Sequence, residues 1–228
     1  MHIMALFLIY FLKFIYETRA YENIALNKPA WQQYPYTSQW VADLAVDGRK
    51  SNLSGYGGQC AVSAYGHPTS EWRVDLLEIL SIVYINVQYR TENVVWDKYN
   101  GYYTHYRGFS IYISNTTKKE DGLMCFRDTN YTVETIPNPI NISCHLNGRY
   151  VIYYNNRTNH PLPPDYSFYA FTDLCEVEVY GCSNSTYFGD NCTTPCHQNC
   201  LDGRCDVVDG TCLGCVQGYT GTMSDTVK

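Results

Sequence analysis

The fold class that the sequence predicts is all-β: a jelly-roll β-sandwich joined to a small disulfide-rich module. Three observations predict it. Short segments alternate apolar and polar residues at the strand period. Long stretches rich in Gly, Asn, Pro and Ser, such as 48–68 and 155–165, separate those segments. Of the eleven cysteines, four lie in residues 21–181 and seven crowd into 182–228, which sets a domain boundary at Gly181-Cys182.

Taken in chain order, residues 1–20 come first. The apolar run Ile3 to Leu12, interrupted by Lys13 and resumed at Phe14-Ile15-Tyr16, is short for a membrane span. Thr18-Arg19-Ala20 puts small residues at the last and third-last positions, so 1–20 reads as a signal peptide, with an uncleaved anchor as the alternative. No other run is long enough to cross a membrane, so no direct span is expected. Asp43-Leu44-Ala45-Val46 suits a single helical turn.

The strands follow. Glu71 to Leu76 alternates strictly, and Ile79 to Tyr89 alternates in part. Arg107 to Ser114, Arg149 to Tyr154 and Cys175 to Tyr180 also carry period two. Nothing shows βαβ spacing or a long amphipathic helix. The 23 tyrosines suit strands and amphipathic surfaces.

Residues 182–228 hold almost no apolar core, and a unit that small needs cross-links. Asp202-Gly203, Asp209-Gly210 and Gly218-Tyr219-Thr220-Gly221 supply tight turns.

Composition narrows the function. The chain has 228 residues, 45% of them hydrophobic, enough for a packed core, and a formal charge of -6 without basic blocks. Nucleic acid is therefore excluded as a partner, since a phosphate backbone needs a positive stripe. Eleven cysteines indicate an oxidising compartment, and seven N-x-Ser/Thr sequons agree: Asn52, Asn115, Asn130, Asn141, Asn156, Asn184 and Asn191. The six histidines stand outside any hydrolase or metalloprotease motif, and no phosphate-binding glycine loop occurs, so no enzyme is expected. The reading is a secreted or cell-surface protein.

Five segments together carry a resemblance. Asn23-Ile24-Ala25-Leu26-Asn27-Lys28-Pro29-Ala30, Ala45-Val46-Asp47-Gly48, Glu71-Trp72-Arg73-Val74-Asp75-Leu76, Gly148-Arg149-Tyr150-Val151 and Leu174 to Val179 resemble the opening, the acidic turn and three strands of fucolectin-type domains. These belong to the galactose-binding-like, discoidin-type group, and the likeness spans about residues 22–182. It implies a fucolectin-like sandwich over 21–181. The tail, 182–228, resembles the EGF-like repeats of multi-repeat scavenger receptors, through Tyr187 to Cys192, Cys196 to Cys200 and Gly218 to Gly221. That repeat has a further cysteine just after Gly221, where this chain reads Thr222. The odd cysteine count says the same: the repeat continues past this sequence, or one thiol is free or pairs with another chain.

The resemblance implies one structural calcium ion. Carried over by position, its side-chain ligands are Asp47 and Glu176, with backbone carbonyls at Leu44, Arg49 and Cys175, and Gln59 standing where the family has a serine. Calcium accepts six to eight oxygens, which carbonyls in irregular loops supply. By residues alone, Asp47 reads as a plain turn residue and Glu176 as an exposed strand residue. Four cysteines allow three pairings; the resemblance implies Cys60 with Cys175 and Cys125 with Cys144.

For sugar, the family uses one histidine and two arginines beside adjacent cysteines. Arg90 matches the first arginine. Val62 stands at the histidine position, Asp97 at the second arginine, and Asn93-Val94 at the cysteines. The loop Val94 to Tyr103 is nevertheless rich in aromatics, and Arg90, Trp96, Asp97 and Tyr99 form the expected partner-binding set; the alternative puts Trp96 in the core. The implied function is calcium-dependent binding of glycans or glycoproteins. The alternative is a non-lectin adhesion or receptor ectodomain fragment that binds protein. A homo-oligomer is compatible with either, and free L-fucose is expected to bind weakly.

Overall fold

The computed structural model describes residues 21–223, 226 and 227. The expected signal peptide, 1–20, lies outside them. The strands of the sandwich are β1 (Glu22–Asn23), β2 (Ala30–Gln32), β3 (Thr69–Tyr89), β4 (Ser110–Ser114), β5 (Leu123–Arg127), β6 (Ile140–Asn156) and β7 (Leu174–Cys182). They form one seven-stranded antiparallel sheet in the order β1-β7-β3-β6-β4-β5, with β2 also on β3.

Two long strands turn this single sheet into two layers. Thr69–Asp75 of β3 pairs with Tyr150–Asn156 of β6, and Leu80–Val87 pairs with Ile140–Gly148, with a register shift between. β2 binds only the first half of β3, at Trp72–Val74, and β4 only the second half of β6, at Tyr150–Tyr154. β7 binds only the second half of β3, at Ser81–Tyr89. Strands that change layer through a bulge make the corner of a sandwich. At that corner Leu77 has φ 73°. Arg149 grips Asp75 there with two bonds of 2.7 Å, and Leu77 N–H donates to the same carboxylate. The two segments that alternate separately in the sequence, 71–76 and 79–89, are thus one strand bent between layers.

Both layers feed one core. Trp72, Val74, Ile111 and Val151 from one meet Ile82, Ile85, Ile142 and Val179 from the other. Trp72 is fully buried and donates its indole N–H to the Ala42 carbonyl at 3.0 Å, fastening the 3-10 turn Ala42–Ala45 to the sheet. Before β4 the chain makes one short helix, α1 (Tyr103–Tyr106). The strand therefore starts at Ser110 rather than Arg107. Gly108 at φ 73° turns the chain there, where a Cβ would sit 2.4 Å from the Tyr166 ring.

The tail begins at the last residue of β7, Cys182, which is bonded to Cys192. Cys196 bonds Cys205 and Cys200 bonds Cys212, leaving Cys215 unpaired and half-buried. Two short ribbons complete it: β8 (Tyr187–Phe188) with β9 (Thr194–Pro195), and β10 (Tyr219–Thr220) with β11 (Thr226–Val227). Val207 of the tail is buried with Val83 and Cys182, against Tyr21 and Tyr84, so the module packs on the sandwich. In the sandwich Cys60 bonds Cys175 and Cys125 bonds Cys144. Five disulfides mark a protein matured in an oxidising, extracytoplasmic compartment. Among the described residues no helix is long and apolar enough to cross a membrane.

Candidate functional site

Two loop-built features share one end of the sandwich. The first is acidic. Asp47 follows the Ala42–Ala45 turn, and Gly48, at φ 77°, folds back so that its N–H donates to Glu176 Oε1 at 3.3 Å. Glu176 is only 1% exposed, and its Oε2 has no hydrogen-bond partner. Burial, followed by the charges of Asp47 and Glu178 and opposed by the Gly48 N–H, pushes its pKa up to about 7. Asp47 accepts the Arg49 backbone N–H at 2.9 Å and the Arg49 guanidinium at 2.8 Å, and the same guanidinium reaches the Gly58 carbonyl. Gln59 Oε1 gathers the N–H groups of Ser51 and Asn52 at 3.0 and 2.9 Å. Cys175 lies where β7 shifts register against Gln88 and Tyr89 of β3, and Leu44 lies in the 3-10 turn.

Asp47 and Glu176, far apart in sequence, are thus brought near each other through the bond from the adjoining Gly48 N–H to Glu176. A buried carboxylate oxygen without a donor, beside a second carboxylate, is a donor set that a hard cation would satisfy. Among the described residues no three His, Cys, Asp or Glu side chains gather in metal-binding geometry. A cation here would need backbone oxygens as well.

The second feature is a cleft of about 210 Å³ lined by Arg90, His105, Asp173, Val62, Ser63, Phe171 and a ring of Tyr36, Trp40, Tyr56, Tyr65 and Tyr102. Its hub is Asp173, 1% exposed, just before β7. Asp173 accepts the Ser63 N–H at 3.2 Å, faces Arg90 Nη1 at 3.5 Å and lies 3.2 Å from His105 Nδ1. His105 comes from α1 and stacks on Phe171 with ring centroids 3.8 Å apart. Buried Arg157 fixes that helix by donating to the carbonyls of His105, Arg107 and Ser167.

Arg90 is heavily engaged. It bonds Glu92, donates to the Tyr102 hydroxyl at 3.1 Å and packs over the Tyr102 ring. Burial lowers its pKa, but Asp173 and Glu92 outweigh that and hold it above the usual arginine value. Glu92 is in turn held low: Ser54 Oγ, the Gly55 N–H and Arg90 outweigh its burial. A Cβ on Gly55 would lie 2.9 Å from the guanidinium carbon, so any other residue there would push Arg90 from its present position. The segment 47–60 therefore touches both features: Asp47 at one end, and Ser54 and Gly55 on the Arg90 network.

Of the expected partner-binding set, only Arg90 lines this cleft. Trp96 packs against the core beside Tyr89 and Tyr106 and donates to the Ile136 carbonyl at 2.8 Å. This is the core alternative read from the sequence, and the indole N–H has found a partner there. Asp97 is exposed and caps the Tyr99 N–H. Tyr99 is exposed, with Lys98 over its ring. Sequence reasoning missed His105, Asp173 and the Tyr36–Trp40–Tyr56 chain of tilted and edge-on rings, and it flagged the aromatic loop 94–103 without singling out Tyr102. None sits in a motif.

No family model and no curated protein matches the chain. Solved structures do. A fucolectin from striped bass (Morone saxatilis) serum superposes with TM-score 0.53 at 25% identity, covering 71% of this chain and 49% of that one. This chain therefore spans about half the length of that lectin. A Streptococcus pneumoniae fucose binding module gives TM-score 0.53 at 17% identity, covering 71% of this chain and 96% of its own. A second module of that organism, SpX-3, gives 0.50 at 21%, covering 71% and 99%. The sandwich is thus a galactose-binding-like jelly roll of the kind found in carbohydrate-binding lectins and modules.

Proposed function

We propose that this chain is an extracellular glycan-binding protein whose sugar site is the Arg90 cleft, steadied by one calcium ion at Asp47 and Glu176. The observation that carries the reading is the convergence of a guanidinium, an imidazole and a buried carboxylate inside an aromatic rim, in a fold that resembles a serum fucolectin. Aromatic faces stack on the apolar faces of sugars while planar polar groups meet the hydroxyls. His105 brings from α1 an imidazole that the Val62 position lacks. The tail is proposed as an EGF-like spacer.

Free L-fucose is expected to bind weakly. Val62 offers no donor, and most Arg90 N–H groups already serve Glu92, Asp173 and Tyr102. Each sugar hydroxyl buried without a partner costs roughly 1–3 kcal/mol. Longer glycans gain by lying over the rim, where Tyr56 is 82% exposed and Tyr65 69%. A glycan array tests this: oligosaccharides bind, and Arg90→Ala lowers binding by at least about tenfold, the equivalent of 1.4 kcal/mol. An array blank for every glycan, with capture of a purified glycan-free protein ligand, would favour the second reading, a protein-binding adhesion fragment. The apolar Val62 and the engaged Arg90 are what favour it.

Calcium would be held by Asp47 and Glu176 with nearby carbonyls, would take the place of the Arg49 guanidinium on Asp47, and would supply charge that neutralises the pair, while Gln59 keeps its bonds to Ser51 and Asn52. Because it binds the folded state alone, it raises Tm; in Asp47→Ala the rise disappears. With chelator present, Glu176 carries a folded pKa of about 7, above the ordinary glutamate range. The folded state then binds the extra proton, so stability falls as pH rises from that range through 7. Calcium should flatten the fall. A Tm rise that persists in Asp47→Ala sinks the assignment.

A further inference from the structure

A second open cleft, of about 350 Å³, shares no lining residue with the Arg90 cleft. It lies over β4, the end of β5, the end of β6 and the 159–166 loop, and its walls include Tyr112, Tyr154, Tyr166, Arg127, Asn159 and Asn156. The three tyrosine hydroxyls, the Arg127 guanidinium and the Asn159 amide have no hydrogen-bond partner among the described residues, unlike the engaged groups around Arg90.

Asn156 opens the sequon Asn156-Arg157-Thr158. Its Oδ1 accepts the Thr158 N–H at 2.8 Å, which leaves Nδ2 as its free group. Five of the seven sequon asparagines are exposed; Asn52 and Asn156 are half-buried. These two differ. Asn52 is wedged against Gly57, where a Cβ would lie 2.4 Å from it, and its Oδ1 holds Ser54 and Asn93. Asn156 instead lines an open volume.

We infer that Asn156 carries an N-linked glycan whose first sugars fill this cleft, as an internal ligand of the sandwich. In the transfer, Nδ2 bonds C1 of a lipid-pyrophosphate-linked oligosaccharide, the C1–O bond to pyrophosphate breaks, and the amide gives up one proton. The sugars then stack on the tyrosine rings, and their hydroxyls meet Arg127, Asn159 and the phenols. A tethered occupant is present at high effective concentration, while a free saccharide must first lose its translational freedom. The cleft is thereby closed to outside ligands. The inference rests on the extracellular reading.

The test uses protein secreted from glycosylating eukaryotic cells, with glycopeptide mapping and timed release by peptide-N-glycosidase without denaturant. Asn156 is expected to be occupied, and its glycan to leave at least about tenfold more slowly than that of exposed Asn115. Tyr112→Ala should speed the release. Thr158→Ala removes the sequon but keeps the Thr158 N–H bond. It should lower Tm by a few degrees in protein from glycosylating cells and leave Tm unchanged in protein made without glycosylation. A bare Asn156 beside an occupied Asn115, or equal release rates, would overturn the inference. Glycan at none of the seven sequons overturns it too, and takes the extracellular reading with it.

Discussion

A Cys60→Ser, Cys175→Ser variant is expected to lose roughly 4–5 kcal/mol of unfolding free energy. The bridge spans 115 residues, and closing so long a loop removes many unfolded conformations. Both sulfurs are buried with Val62 against Trp40 and Leu53, so serine hydroxyls would also enter an apolar site. The bridge also ties the 47–60 segment to β7 beside Glu176, so the variant should lose the calcium response along with stability. The control is Cys125→Ser, Cys144→Ser, which opens a loop of 19 residues and should cost about 3 kcal/mol. Urea unfolding without reductant measures both. A smaller loss for the longer bridge would contradict the assignment of Cys60–Cys175 as the main staple.

The second large effect belongs to Asp173. Asp173→Ala is expected to cost about 3 kcal/mol, the lower end for breaking a buried ion pair, because Arg90 keeps Glu92 as a partner. The Ser63 N–H also loses its acceptor in a buried place. Glycan binding should disappear with it, since Arg90 and His105 are both oriented on this carboxylate. Asp173→Asn keeps an acceptor for Ser63 and should cost less stability while still losing binding. That split separates a hub of the site from a merely structural carboxylate. Full binding in Asp173→Asn would remove Asp173 from the site.

The strands were legible because alternation is local. Glu71 to Leu76 must place Trp72, Val74 and Leu76 on one face, and all three are buried. The first half of β6 was missed although Ile140, Ile142 and Cys144 alternate, because Asn, Ser and His between them read as loop. The pairing of β6 with β3 overrode that weak propensity. Trp96 shows the opposite error. A tryptophan among polar neighbours looks like a contact residue, yet its ring completes the aromatic stack of Tyr89 and Tyr106.

By itself the sequence determined the β class, the strand faces, the cysteine-rich tail and the acidic turn at Asp47-Gly48, since each depends on neighbours a few residues apart. Only the tertiary structure decided where β3 and β6 change layer, and only it brought His105, Asp173, Arg90 and the Tyr36–Trp40–Tyr56 rings to one cleft. Those groups come from separate loops and one short helix. Their distances are set by sheet register and by the bonds of Arg157 and Asp173, and no local pattern encodes them.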